Sequence, residues 1–281
     1  MGFTVLVTGA TGKTGRRLIP LLLERGVTIR AASRTPVPER YGVEPVRFDW
    51  IDESSYRTAL DGVDAVYAIS DPSNWNNQSF EAFLERAADG GSRRVVLLSS
   101  FGVDHASADD LMRRVELLVE GAGTVLRPTM FMQDFSEDHW SNQVTSIRER
   151  GEITLPSIRA PMSYISTADI AAVAAAALTE DGHEGEGYTI TGPEALTAAQ
   201  VAEHISAAAG LSVRPVEVGR DAIRAGLRAY GYPAESAEYA SGGYAAAFGA
   251  MGVVTDDVTK VTGRPPTTFA EFAKDAAHAW R

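Results

Sequence analysis

The chain has 281 residues, 44% of them hydrophobic and none cysteine, so a sizeable core can form, while disulfides, thiolate metal sites and a cysteine nucleophile are excluded. A formal net charge of −11 opposes non-specific binding to nucleic acid, whose phosphates it repels, and no lysine or arginine run offsets it. No apolar run reaches the length of a membrane span, and the N-terminus enters a strand without a basic leader or cleavage site, which points to a soluble, cytoplasmic protein.

Residues Phe3 to Leu18 read as a buried strand, a glycine-rich turn and the start of a helix. Gly9, Gly12 and Gly15 are spaced G-x-x-G-x-x-G, one residue longer in the first gap than the dinucleotide fingerprint. Gly9 allows the sharp exit from the strand, Gly12 keeps the backbone open to a pyrophosphate, and Gly15 lets strand and helix pack closely. Thr11, Lys13 and Thr14 complete the loop, and the helix behind it aims its free N–H groups at the phosphates. The helix ends at Gly26, and a second strand over 27–33 closes on Ser33-Arg34. A carboxylate at that place would accept bonds from the adenosine ribose; an arginine can instead fork onto a 2′-phosphate, so NADPH is expected over NADH.

A third strand over 45–49 ends in Asp49 and Trp50, and a fourth over 65–70 delivers Ile69 and Ser70. Asp49 is a candidate acceptor for the adenine amine or a helix cap. A polar loop over 71–77 leads to a helix from Phe80 to Ala88, stopped by Gly90-Gly91. The fifth strand, 94–100, brings Ser99, Ser100 and Phe101 to the same sheet edge, and a helix from about Ala108 to Glu120 follows. The sixth strand, 124–127, breaks at Pro128. This alternation predicts an α/β fold: a Rossmann-type doubly wound parallel sheet, with ligands outside the carboxyl ends of its strands.

Beyond it, Phe131, Met132, Phe135 and Trp140 offer an apolar wall for a substrate or a packed core. Tyr164 and His105 are candidate proton donors, though a buried tyrosine and a loop histidine usually serve structure and solvent. An alanine-rich helix follows Asp169, Thr197 to Gln200 reads as a capping box, and a helical stretch from Asp221 to Met251 is broken at Gly242-Gly243. An amphipathic helix from Thr268 to Trp280 docks through Phe269, Phe272 and Trp280. The expected division is a cofactor-binding core over 1–130 and a smaller substrate-binding lobe over 131–281, interleaved with it. No His/Asp/Glu spacing suggests a metal, and there is no G-x-S-x-G elbow of a serine hydrolase.

The loop G-A-T-G-K-T-G, the pair Ser99-Ser100 and the run Arg127-Pro-Thr-Met-Phe-Met132 resemble the NmrA-like branch of the atypical short-chain dehydrogenases. The stretches at 47–50, 165–171, 192–197 and 256–266 are similar to the group typified by the ergot-alkaloid enzymes festuclavine synthase and agroclavine dehydrogenase. The resemblance implies NAD(P)H-dependent reduction of a small organic molecule; Ser100, Phe101, Phe131, Met132, Trp140 and Tyr164 are the candidate substrate contacts, and a monomer or homodimer is expected. Ordinary members of the superfamily carry a Tyr-x-x-x-Lys pair on the helix after the fifth strand; here Ala108 and Met112 stand near those sites. Ketone reduction needs an acid for the developing alkoxide, whereas hydride addition to an iminium carbon discharges the cation and needs none. A dinucleotide-sensing regulator and a non-redox cyclase or isomerase on the same fold are the alternatives.

Overall fold

A computed structural model describes residues 2–35, 37–38, 42–70, 78–90 and 92–281. The polar loop expected at 71–77 and the helix stop at Gly91 lie outside the described residues. In chain order the elements are β1 (Thr4–Val7), α1 (Gly15–Glu24), β2 (Thr28–Ser33), β3 (Val43–Arg47), α2 (Ser54–Leu60), β4 (Ala65–Ile69), α3 (Gln78–Asp89), β5 (Arg94–Leu98), α4 (Leu111–Val119) and β6 (Thr124–Pro128). They continue with β7 (Met130–Phe131), α5 (Gln143–Arg150), β8 (Glu152–Leu155), β9 (Met162–Ile165), α6 (Thr167–Thr179), β10 (Gly187–Ile190), β11 (Ala195–Leu196) and α7 (Ala198–Ala209). The last are β12 (Arg214–Glu217), α8 (Arg220–Ala229), α9 (Ala234–Ala247), α10 (Asp257–Thr262) and α11 (Phe269–Ala276).

The chain divides into two units, one drawn from 1–71, 75–128 and 167–189, the other from 72–74, 129–166 and 190–281. The first holds a Rossmann-type sheet in the order β10-β6-β5-β4-β1-β2-β3, with parallel pairing from β3 through β6. Strand order reverses between β1 and β4, the switch point at which doubly wound sheets open a ligand crevice. On one face α2, α3 and α4 bury an aromatic-rich cluster of Phe48, Tyr56, Phe80 and Phe83 over Leu6, Val66 and Leu97. On the other, α6 packs against α1; its run of alanines, all buried, lets the helices approach closely.

A buried ion pair joins α4 to the sheet. Arg127 on β6 donates from Nε and Nη2 to the two oxygens of Glu116 at 3.0 and 2.9 Å, and Glu116 is wholly buried. Arg113 and Glu120 extend the network, each 3.0 Å from one of the pair. Gly187 on β10 makes room, since a Cβ there would collide with the Arg127 guanidinium. A fork onto both carboxylate oxygens compensates the desolvation that burying two charges demands.

The second unit contains a three-stranded sheet, β11-β9-β7, and a parallel pair, β12-β8. Its core packs Phe135, Tyr164 and Phe269 edge to face at 5.5–5.6 Å, and Trp280 donates its indole N–H to the Phe135 carbonyl at 2.7 Å. The capping boxes at Thr197 and Thr268 both form. Among the described residues no helix is long and apolar enough to cross a membrane.

Several boundaries differ from expectation. The helix expected from Ala108 begins at Leu111, because the Asp110 carboxylate caps it by accepting from the N–H groups of Met112 and Arg113 at 2.9 and 3.2 Å. Gly242-Gly243 does not break a helix: α9 runs through both, and the break falls at 230–233, around Gly231 (φ +107°) and Pro233. Gly242 instead gives close passage to Arg220, whose Nη2 would lie 3.2 Å from a Cβ. Helix α11 stops at Ala276, and a 3-10 turn carries the chain on to Trp280.

Candidate dinucleotide site

The glycine loop is built by contacts among the ends of β1, β4 and α1. Thr8, fully buried, donates its hydroxyl to the Tyr67 carbonyl at 3.0 Å and accepts from the Ile69 N–H at 2.9 Å, so one side chain ties β1 to β4 at the switch point. Gly9 turns the chain at φ +59°, and a Cβ there would lie 2.8 Å from the Ile69 side chain. Gly12 donates to the Gly9 carbonyl at 2.8 Å. Gly15 opens α1 directly over that carbonyl; a Cβ would collide with the Gly9 oxygen and stand 2.9 Å from Ala10 Cα. The three glycines thus let the loop close on itself, with neighbouring atoms packed where any Cβ would stand.

Thr14 precedes α1 and makes no side-chain cap bond to the helix. Its hydroxyl accepts from the buried Tyr67 phenol at 3.0 Å. Burial pushes the Tyr67 pKa well above 10, so the phenol stays a neutral donor at ordinary pH. Lys13 is half-buried, and Thr11 is exposed at the loop tip.

Parallel pairing brings the other expected cofactor residues to the same edge. Val7 pairs with Ala31 and Tyr67, and Ile69 with Leu98, so Gly9, Ser33-Arg34, Ile69-Ser70 and Ser99-Ser100 all follow the carboxyl ends of adjacent strands. Ser33 is buried with its hydroxyl on the Thr35 carbonyl, and Arg34 is exposed. Asp49 uses one oxygen to accept from the Ile51 N–H at 3.2 Å. Trp50 lies edge-on to Phe48, Phe80 and Phe83 at 4.6–5.1 Å, a place in the aromatic cluster. Ser99 is buried, and its hydroxyl has no hydrogen-bond partner among the described residues. A buried, orphaned hydroxyl at the end of β5, two strands from the glycine loop, fits a polar ligand lying across these strand ends.

The remaining candidates are spread differently. Ser100 is exposed and Phe101 half-buried, while the His105 imidazole is 87% exposed and 4.0 Å from Asp104. In the second unit Phe131 and Trp140 are half-buried, whereas Met132 and Tyr164 are buried. Burial raises the Tyr164 pKa far above 10, and its ring packs between Phe135 and Phe269, a structural setting. The Tyr67–Thr14 latch escapes a reading of the sequence; its one signal is a tyrosine in an otherwise small aliphatic strand, Ala65–Ile69. Also unforeseen is a pairing beside Trp140, where His139 lies 3.7 Å from Asp134 and 2.7 Å from the Ser141 hydroxyl. No cluster of potential metal ligands occurs among the described residues.

Residues 9–123 match a family model described as NAD(P)H-binding. Over 286 residues the chain is 34% identical to the NAD(P)H azoreductase of Xenophilus azovorans, covering 98% of each protein. The chain belongs to the NmrA-like NAD(P)H-dependent oxidoreductases. Among other relatives in this family is agroclavine dehydrogenase of Claviceps fusiformis, 32% identical over 287 residues, with 99% of this chain and 98% of the relative covered. The NmrA-like fold is matched by an NADPH-dependent quinone oxidoreductase from Escherichia coli solved with NADPH, at a TM-score of 0.79 and 23% identity over 97% of this chain and 99% of that one. This NmrA-like chain is therefore an NAD(P)H-dependent oxidoreductase.

Proposed function

We propose that the protein uses NADPH to reduce a small conjugated, electron-poor molecule, of which cyclic iminium ions, quinones and azo compounds are the chemical types. The observation that carries this reading is α4, whose residues Leu111–Val119 (LMRRVELLV) contain neither tyrosine nor lysine, with Ala108 in the turn before it. An alkoxide developing on an isolated ketone concentrates charge on one oxygen and needs an acid within reach. In an iminium the incoming hydride cancels charge, and in a quinone or azo acceptor it spreads over the conjugated system, the balancing proton coming from solvent. Positioning against the hydride donor then suffices. The relatives named for azo and clavine substrates, and the quinone oxidoreductase of like fold, favour this substrate class.

The bound dinucleotide supplies the hydride and is oxidised by two electrons as the substrate is reduced. The chain's part is to hold and orient. Gly9, Thr11, Gly12, Lys13, Thr14 and Gly15 would take the pyrophosphate at the start of α1, and Arg34 beside Ser33 the 2′-phosphate, with no carboxylate at the end of β2 itself to repel it. The uncommitted oxygen of Asp49 suits the adenine amine; Ile69, Ser70 and the Ser99 hydroxyl suit the nicotinamide half. The first unit is in this proposal the cofactor unit, and the second the substrate unit. In the second unit the half-buried Phe131 and Trp140 would give the substrate aromatic contacts.

The test follows NADPH absorbance with a cyclic iminium, a quinone, an azo dye and an aryl ketone under identical conditions. Without a dedicated acid the ketone is expected to lag the best of the others by about 100-fold or more in kcat/KM. Ketone reduction at a comparable rate would overturn the proposal.

A further inference from the structure

The edge strand β3 ends on an arginine, Arg47, that has no partner among the described residues. Strands β2 and β3 pair in parallel with Ser33 opposite Arg47, and the Phe48 N–H continues the ladder to the Ser33 carbonyl at 3.0 Å. Arg47 therefore stands beside the strand end from which Arg34 emerges. A third arginine on the same strands gives the contrast. Arg30, opposite Glu44, pairs with it at 3.2 Å and donates to the carbonyls of Thr58 and Ala59 at 3.3 Å, which anchors β2 to the end of α2. Side chains alternate along a strand, so Arg47 and Ser33 share the opposite face, away from α2, α3 and α4.

Arg47 and Arg34 are both exposed, and among the described residues neither has a hydrogen-bond, ion-pair or ring partner. This happens in a chain with 37 acidic residues against 26 basic ones, where carboxylate partners are plentiful. Two unpaired guanidinium groups on neighbouring strand ends repel each other, and a dianion between them turns that repulsion into two charge-assisted contacts. A phosphate monoester has the charge and the oxygens to receive both.

We propose that Arg47 is a second specificity-determining residue for the cofactor and grips the 2′-phosphate of the adenosine ribose together with Arg34. The inference rests on the reading that the protein takes NADPH. It places the selectivity on a strand that the glycine fingerprint does not include, two residues before Asp49.

Calorimetric titrations with NADP+, NAD+, 2′-AMP and 5′-AMP test it without turnover. The unaltered protein should bind NADP+ and 2′-AMP more tightly than NAD+ and 5′-AMP. Arg47→Gln should weaken NADP+ and 2′-AMP by about tenfold or more, leave NAD+ and 5′-AMP within about twofold, and preserve the thermal transition. Arg47→Lys, which keeps the charge but not the fork, should fall between the two. Equal losses for both dinucleotides, or none for NADP+, overturn the assignment of Arg47. If the unaltered protein does not distinguish 2′-AMP from 5′-AMP, the NADPH reading itself fails. If it does, and only Arg34→Gln abolishes the distinction, the NADPH reading stands and Arg47 alone is refuted.

Discussion

Replacing Tyr67 with phenylalanine deletes one oxygen from a ring that solvent does not reach. In the native protein that oxygen donates to Thr14 Oγ1 at 3.0 Å, and Thr14 is itself only 2% exposed, so water has little access to take the donor's place. The lost bond is worth about 0.5–1.5 kcal/mol, and stranding the buried Thr14 acceptor raises the cost to about 1–3 kcal/mol. With a urea dependence of about 3 kcal/mol per molar, the unfolding midpoint should fall by roughly 0.3–1 M. Because Thr14 is the residue from which α1 springs, loosening it should also weaken NADPH binding by about three- to tenfold, read by cofactor fluorescence. Thr14→Val should have a similar effect, and the double variant should be less impaired than the sum, with a coupling of about 1 kcal/mol. A midpoint and an affinity both unchanged in Tyr67→Phe, or strictly additive variants, would refute the latch.

Glu116→Gln removes the buried one of the two carboxylates paired with Arg127, leaving only the partly exposed Glu120, and should cost up to about 3–5 kcal/mol in chemical denaturation, whereas Glu116→Leu combined with Arg127→Met should recover most of that loss. The tyrosines Tyr67, Tyr164 and Tyr244 have pKa values raised above 10, chiefly by burial. Their unfolded forms release protons near pH 10 while the folded forms keep theirs, so stability is fully present below that pH and is lost as pH rises above it. The unfolding midpoint measured from pH 8 to 11 should therefore drop beyond about pH 10. Tyr164→Phe should make that drop shallower and leave neutral-pH turnover within about twofold, since its ring serves packing.

The parallel sheet and the residues at the carboxyl ends of its strands are legible in the sequence because each strand is a short aliphatic run closed by polar or glycine residues. The loop glycines speak for themselves, since Gly9 needs a positive φ and Gly15 sits where any Cβ meets backbone. Illegible are the pairings that join residues distant in the chain. Nothing local marks Tyr67 as the partner of Thr14, 53 residues away, or Glu116 as the counter-ion of Arg127. Helix ends are misread where a carboxylate outcompetes composition, as Asp110 does, and a glycine pair reads as a break when its use is to let Arg220 pass close by.

The return of α6 and β10 to the first unit, after the chain has left it at Pro128, sets an order on synthesis. A nascent chain that has made only β1 to β6 presents a sheet whose α1 face lacks its alanine-rich cover and whose β6 edge is bare. The glycine loop can be made early, but the sheet that carries it is complete only when Gly187–Ile190 has emerged. The emergence of β10, rather than the chain's departure from the unit at Pro128, is the moment at which the first unit becomes a finished object.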